Sequence, residues 1–339
     1  MKKELLILII VLSSSFNEPS KIYLTDDLKE KVVNSDKKFA FIKIPNEDED
    51  SVKAKNYLGD IYIYNLIDSS TTRYTDDNYY KTELSFSPNG EKLIFASSSD
   101  SYNSINKDHS QPSDWISLFI LDLLTGEIES IKMTPIPFTI IPFLSGLTWS
   151  NDGIYFSKLD NKIYKVEQSG NTFSIFVEIN EEIEIFELSF SNNMKYLAIE
   201  YYSPNNSTSN LFVGLYNIDK KVFEDLKLKG NVGGWDKDDE SFFVINRDSV
   251  YSYNITSKQK KYIPLQSNND KLNVNNCFML NEEEIIHTSS KNFYSKLLAE
   301  DIIDLDLKRA IGIENIKTNN LWYPIKNTHI IESFAPYGF

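Results

Sequence analysis

One hairpin returns along this chain at a nearly regular interval, and that interval leaves few folds open. Its clearest copy is "LSFSPNGEKLIFASS" at 84–98, where Leu84 and Phe86 alternate with Ser85 and Ser87, Pro88-Asn89-Gly90 interrupts, and Leu93-Ile94-Phe95 resumes an apolar run. Proline presets the φ of a turn's first central residue, while Asn and Gly tolerate positive φ, so the stretch reads as two strands joined by a tight turn. Further copies stand at 147–159 ("LTWSNDGIYFSKL"), 188–202 ("LSFSNNMKYLAIEYY") and 233–246 ("GGWDKDDESFFVIN"). Looser ones stand at 32–44, 277–289 and 321–333.

The residue just before each turn serves as an anchor: Val33, Phe86, Trp149, Phe190, Trp235, Met279 and Trp322, at spacings of 53, 63, 41, 45, 44 and 43. A period of 40 to 45 residues built from strands predicts a propeller blade, a four-stranded sheet set radially with others around a central channel. Later strands within a repeat fit this. "KLIFASS" is followed by "SLFILDL" and "EIESIKM", and "YLAIEYY" by "NLFVGLYNI" and "VFEDLKL". Thr125-Gly126-Glu127 and Ser169-Gly170-Asn171 supply the turns between outer strands. The expectation is an all-β β-propeller of four-stranded blades, seven by repeat count.

A strand, an aromatic-Ser-Pro-Asn/Asp-Gly turn and then "KLIF" or "YLAI" resembles the TolB-like propeller repeat, over nearly all of the chain after its leader. The resemblance implies a propeller and carries no catalytic residues. Six blades, the usual number in that family, is the alternative. It applies if the Val33 or Met279 copy is not an inner hairpin, or if the C-terminal pair joins the N-terminal strands in one blade. For ring closure, "SKIYLTDD" at 20–27 is expected to complete the C-terminal blade.

At the N-terminus, Lys2 and Lys3, an apolar run from Leu5 to Leu12 and then Ser13 to Ser15 have the layout of a secretory signal peptide. Eight residues rise only about 12 Å as helix, too short for a bilayer core. The organisation read from the sequence is therefore a signal peptide at 1–18 and a single propeller domain at 19–339, in an exported protein that is periplasmic or extracellular and has no stable membrane span after cleavage. The formal net charge of −14, with its basic residues scattered, excludes a nucleic-acid binder that works through phosphate contacts. Cys277 is the only cysteine, so no intrachain disulfide forms, and its apolar setting reads as a buried thiol.

Motifs that carry chemistry are few. His109, His287 and His329 lie in no zinc-ligand spacing, the latter two in second strands of the repeat. A Gly-x-Ser-x-Gly nucleophile elbow does not occur. The acidic run "DKDDES" at 236–241 begins like a calcium loop but has Ser241 where the sixth-position Gly belongs and Arg247 where the twelfth-position Glu belongs, so it reads as a solvated turn. No catalytic residue, metal ligand or cofactor is assigned. A carboxylate pair along a rim could serve acid–base chemistry, but only a fold can select one.

Two connectors stand out. The polar stretch 97–115 is either a tolerated insertion or a binding loop, and Tyr102, His109 and Trp115 are its candidate ligand contacts. At 133–146, three prolines punctuate an apolar segment, which places it at a sheet edge or a crossing between blades. The function expected is a non-enzymatic, monomeric scaffold that binds a protein or cell-envelope component. The alternatives are a glycan-active or lyase-type propeller and the orphan propeller of a peptidase. A cluster of two or three carboxylates with a His or Tyr inside the central channel would favour the enzyme, and a plain channel would favour binding.

Overall fold

The computed structural model describes residues 37–45, 50, 58–77, 79–98, 115–131, 136–137, 144–167, 172–204, 211–246, 249–263, 272–279, 284–291, 308–315 and 320–337. Among these, every regular element is a strand. In chain order they are β1 (Lys38–Ile44), β2 (Asp60–Asn65), β3 (Thr71–Arg73), β4 (Lys81–Phe86), β5 (Lys92–Ser98), β6 (Trp115–Asp122), β7 (Ile128–Ser130) and β8 (Ile136–Pro137). Next come β9 (Ser145–Ser150), β10 (Gly153–Ser157), β11 (Lys162–Val166), β12 (Phe173–Glu178), β13 (Glu184–Phe190), β14 (Tyr196–Tyr202), β15 (Leu211–Asn217) and β16 (Val222–Lys229). The last are β17 (Asn231–Trp235), β18 (Ser241–Asn246), β19 (Ser249–Asn254), β20 (Lys260–Ile263), β21 (Leu272–Met279), β22 (Glu284–Lys291), β23 (Lys308–Asn315) and β24 (Asn320–Tyr337).

Three sheets each take four consecutive strands, β9–β12, β13–β16 and β17–β20, and a fourth takes β4–β7 with β8 added beside β6. The fifth has seven strands in the order β21-β22-β23-β24-β1-β2-β3. All neighbours pair antiparallel. The first strands follow one another around a ring, β24 beside β4, then β9, β13, β17 and β21, and β21 returns to β24.

This is a propeller of four-stranded units, but the described residues form five sheets and not the seven expected from the repeat count. The reason lies in the C-terminal copy. Its "PIKN" turn does not form, and Asn320–Tyr337 runs as one strand that pairs with β23 through His329 and with β1 from His329 onward. Ile325 favours an extended backbone, and nothing there demands positive φ. The C-terminal strand joins the N-terminal sheet, as the alternative with C-terminal and N-terminal strands in one blade has it. Residues 20–27, Val33 and the proposed leader lie outside the described residues.

The turns explain why the other copies hold. In three hairpins the fourth turn residue is left-handed, Gly90 at φ 68°, Met194 at 59° and Asp239 at 58°, and its N–H donates to the carbonyl of Ser87, Ser191 or Asp236. Ser87 and Ser191 also accept the amides of Lys92 and Tyr196 through Oγ, which fixes where the second strand begins. These second strands are apolar on both faces because each sheet is sandwiched between two others. In β5, Leu93 and Phe95 pack with Ala40, Ile61 and Leu84, whereas Ile94 and Ala96 pack with Leu147, Ile154 and Phe156.

One turn departs from its reading. The run 236–241 does join β17 to β18, but Asp239 is 8 % exposed, and its carboxylate accepts the amides of Asn192 (2.6 Å) and Asn193 (2.8 Å) and the Asn192 side chain (2.9 Å) from the preceding sheet. A charged acceptor serving two main-chain donors is worth more than a neutral one. Asp239→Ala is expected to cost about 2 kcal/mol in urea denaturation, against less than about 0.5 kcal/mol for the neighbouring exposed Asp238→Ala.

Candidate functional site: carboxylates between neighbouring sheets

Three glutamates come together: Glu83 of β4 and Glu187 of β13 each stand at an irregularity of an inner strand, and Glu200 stands on β14, the second strand of its sheet. In β4 the register with β5 shifts between Thr82 and Leu84, and the residue between them, Glu83, has φ 52°. Such a bulge turns its side chain away from the normal pleat direction. Glu83 reaches the next sheet, where its Oε2 accepts the Leu147 amide at 3.3 Å, and the Gly146 amide donates to the same carboxyl.

Gly146 has φ 61°, and a Cβ there would lie 2.9 Å from the Leu188 nitrogen and 3.2 Å from the Glu187 carbonyl carbon. Only glycine permits that approach, which seats β9 directly on the main chain at Glu187. Glu187 follows a second register shift, between Ile185 and itself, and stands directly opposite Glu200 of β14. Its Oε1 accepts the Leu188 amide at 3.3 Å. Glu200, 5 % exposed, spans to the following sheet, where it accepts the Asn231 side-chain amide at 2.9 Å and the Val232 main-chain amide at 3.1 Å. Glu83 thus links the β4 sheet to the β9 sheet, and Glu200 links the β13 sheet to the β17 sheet.

Burial disfavours the charged form of all three. It pushes the Glu83 carboxyl up to about 7 against the opposing pull of the Leu147 and Gly146 amides. Glu200 is likewise pushed by burial to about 7, with the Val232 and Asn231 donors opposing and the charge of Glu83 adding. Glu187 is raised well above the ordinary carboxylate range, first by burial and then by the charges of Glu83 and Glu200. Like charges directly opposite on paired strands repel, and proton uptake relieves it.

Other polar groups near these inner strands are bonded within the protein. Lys81, two residues before Glu83, is 1 % exposed, pairs with Asp77 and donates to the carbonyls of Gly59 and Tyr79. The Ser145 hydroxyl donates to the Ile185 carbonyl at 3.0 Å. Ser157 Oγ, paired across the strand from Ser145, is the one buried side-chain polar atom with no protein partner among the described residues. Among those residues, no group of three or more His, Cys, Asp or Glu is arranged to hold a metal ion.

Tyr102 and His109 lie outside the described residues, and Trp115 opens β6, its main chain paired with Pro137. That pairing puts Pro137 at the sheet edge, where a residue without N–H fits. His287 pairs in register with Cys277 and Gly312 in the second strand of its repeat, as expected. His329 does not lie in such a second strand. It falls within the continuous β24, in register with both Lys308 and Ile44.

The glutamates left one signal in the sequence. The tetrapeptide Glu-Leu-Ser-Phe occurs at 83–86 and again at 187–190, each ending on a repeat anchor. Strand alternation accounts for Leu and Phe in that tetrapeptide but not for a shared acid three residues before the anchor.

No protein-family model matches the sequence, and no curated protein matches it either. Solved structures do match. TolB from Acinetobacter baumannii superposes with a TM-score of 0.60 at 14 % identity, over 89 % of this chain and 66 % of that one, so this chain spans just under two thirds of that TolB. A chain of a nidogen/laminin complex gives 0.58 at 10 % identity, over 88 % of this chain and 98 % of that one. A TolB described as putative, from Agrobacterium tumefaciens, gives 0.55 at 11 % identity, over 89 % and 96 %. With its ring of inner strands and radial antiparallel sheets, the chain has the fold of a TolB-like β-propeller.

Proposed function

We propose that this protein is an exported, non-enzymatic, monomeric propeller that binds a protein or cell-envelope component on one rim. The observation that carries the reading is the use of the inner acids: Glu83 and Glu200 accept main-chain amides of the next sheet and so fasten the scaffold. Similarity in fold to TolB and to a chain of a nidogen/laminin complex supports a binding role by analogy. Export rests on the leader-like residues 1–18. In this reading the seven-stranded sheet works as two blades that share β24, giving a six-bladed ring.

The test is in-cell crosslinking of a tagged chain, repeated with Tyr102, His109 and Trp115 all changed to Ala. The expected result is one envelope protein recovered with the wild type and at least about tenfold less with the variant, the scale on which interface anchors act. Recovery of the chain alone would overturn the reading.

A second reading has its own observation. Glu187 stands opposite Glu200 with Glu83 close by, and neighbouring carboxyls of unequal proton affinity are the equipment of acid–base catalysis. For a glycan-active or lyase-type enzyme, Glu187→Gln would abolish turnover in a screen of acidic and neutral polysaccharides. Absence of turnover by the wild type across that screen removes this reading.

A further inference from the structure

Separate radial sheets each leave an outer strand with one unpaired edge, and such edges recruit foreign strands unless something blunts them. Most outer strands here are blunted. β3 and β7 have three residues each, and β20 carries Lys260 and Lys261 among its four. β16 carries Glu224, Asp225, Lys227 and Lys229, with Lys227 at φ 52°. β12 differs: it begins Phe173-Ser174-Ile175-Phe176-Val177 without a charge, and Ile175 is 52 % exposed. We infer that the outer edge of β12 is an interaction surface that takes an extended segment of a partner protein as a fifth strand, apolar beside Ile175 and carrying Lys or Arg at both ends.

The main chain supplies the ladder. The Glu167 amide donates to the Thr172 carbonyl, and Val166, Lys165 and Tyr164 then stand opposite Phe173, Ser174 and Ile175 with no register shift. Bonded and non-bonded positions alternate in an antiparallel pair, so Ser174 turns its N–H and C=O toward β11, whereas Phe173 and Ile175 turn theirs outward. At the far end the Ile179 amide donates to the Asn161 carbonyl, which sets Glu178 outward by the same count. Phe176, the extra residue at the register shift, keeps its ring against Tyr155 and Phe190 and leaves 172–175 regular. β12 is the last strand of its sheet, and among the described residues no main-chain bond uses the outward groups of Phe173 and Ile175.

Charge selects the occupant. The lysines of β11 are matched within the sheet, Lys162 with Glu178 at 3.6 Å and Lys165 with Asp152 at 2.8 Å. Lys158 lies over the rings of Tyr164 and Phe173, with the charge of Asp160 acting on it. Beyond these pairs the exposed groups flanking the strand are acidic, Glu167 before it and Glu181 after it. A second copy of the chain would bring the same acids, and its own formal net charge of −14, against them. A segment with basic ends meets them with opposite charge, while main-chain bonds and the apolar contact at Ile175 supply the affinity. Binding here uses none of Tyr102, His109 and Trp115, and so goes beyond the rim reading.

The test uses the full chain and a fluorescent peptide of alternating Val and Thr with two Lys at each end, beside the same peptide ended by Glu. Anisotropy reads affinity, and hydrogen exchange reads the amides of Phe173 and Ile175. The Lys-ended peptide is expected to bind below about 1 mM, to protect both amides, and to bind at least about fivefold tighter than the Glu-ended one at low salt. Ile175→Pro removes an outward N–H that β11 does not use, and Ile175→Lys puts a charge on the edge. Each should weaken binding at least about tenfold while the thermal midpoint stays near that of wild type. Ile128→Lys, on the short edge of β7, should leave binding unchanged.

If Ile175→Pro does not fold, Ile175→Lys decides. The inference is overturned by absence of binding to wild type at about 1 mM, by binding that leaves Phe173 and Ile175 unprotected, by equal or tighter binding of the Glu-ended peptide, or by undiminished binding to Ile175→Lys. A wild type that dimerises in sedimentation, with the dimer lost in Ile175→Lys, would give the edge to a second copy and overturn it as well.

Discussion

Deleting residues 320–339 is expected to yield a chain with no cooperative thermal transition. β24 pairs with β23 over its first part and with β1 over its second, so its loss strips one edge from each and opens the ring between them. On the β1 side, Phe39, Ala40, Phe41 and Ile42 are at most 1 % exposed. Full burial of a large apolar side chain is worth about 1.5–3 kcal/mol, and the unpaired amides of a newly bared strand add about 1–3 kcal/mol each. A few such losses match the whole stability of a typical domain, about 5–15 kcal/mol. The measurement is circular dichroism on heating, with a hydrophobic dye to report exposed surface. A sharp transition in the truncated chain near the wild-type midpoint would show that the ring does not depend on β24.

Gly230→Ala is the largest effect expected from a single substitution. Gly230 alone connects β16 to β17, at φ 133°, and its N–H donates to the Leu211 carbonyl at 3.1 Å. A Cβ there would lie 2.1 Å from the Ile245 carbonyl oxygen and 2.9 Å from its carbon. Both obstacles are main chain of the β18 strand, so neither a rotamer change nor a small shift relieves them. The expected loss is about 4 kcal/mol or more in urea denaturation. Gly126→Ala is the matched control, because Gly126 has φ 74° with nothing within 4 Å of its would-be Cβ, and about 1 kcal/mol is expected. Equal losses at the two positions would mean that backbone conformation alone, and not the contact with Ile245, decides the outcome.

Much of this fold was legible because its turns are written in residue types with one conformational meaning. Phe86, Phe190, Trp235 and Met279 each end the first strand of a sheet repeat, and Trp149 stands one residue before the end of its own, as their spacing predicts. Trp322 misled because alternating apolar residues look the same in a hairpin as in one long strand, and only a turn that demands positive φ tells them apart. The acids were harder to read. Asp239 and Glu200 look like solvated charges until the partners 47 and 31–32 positions away in sequence, Asn192, Asn231 and Val232, are brought beside them. Glu83 and Glu187 share a tetrapeptide, yet their meeting depends on strand bulges and on the bareness of Gly146, which local pattern does not encode.

The shared strand β24 also sets a timetable. Its partners in β1 are 285 to 299 positions earlier in the sequence, from the Ile44–His329 pair to the Lys38–Tyr337 pair. During synthesis, the sheets β4–β7 to β17–β20 can assemble from neighbouring residues as they emerge, whereas β1 must wait with an open edge for a segment made near the end. The interval before that segment arrives is when an open edge can recruit the wrong strand, and the rate of chain delivery, as much as the sequence, governs how often it does.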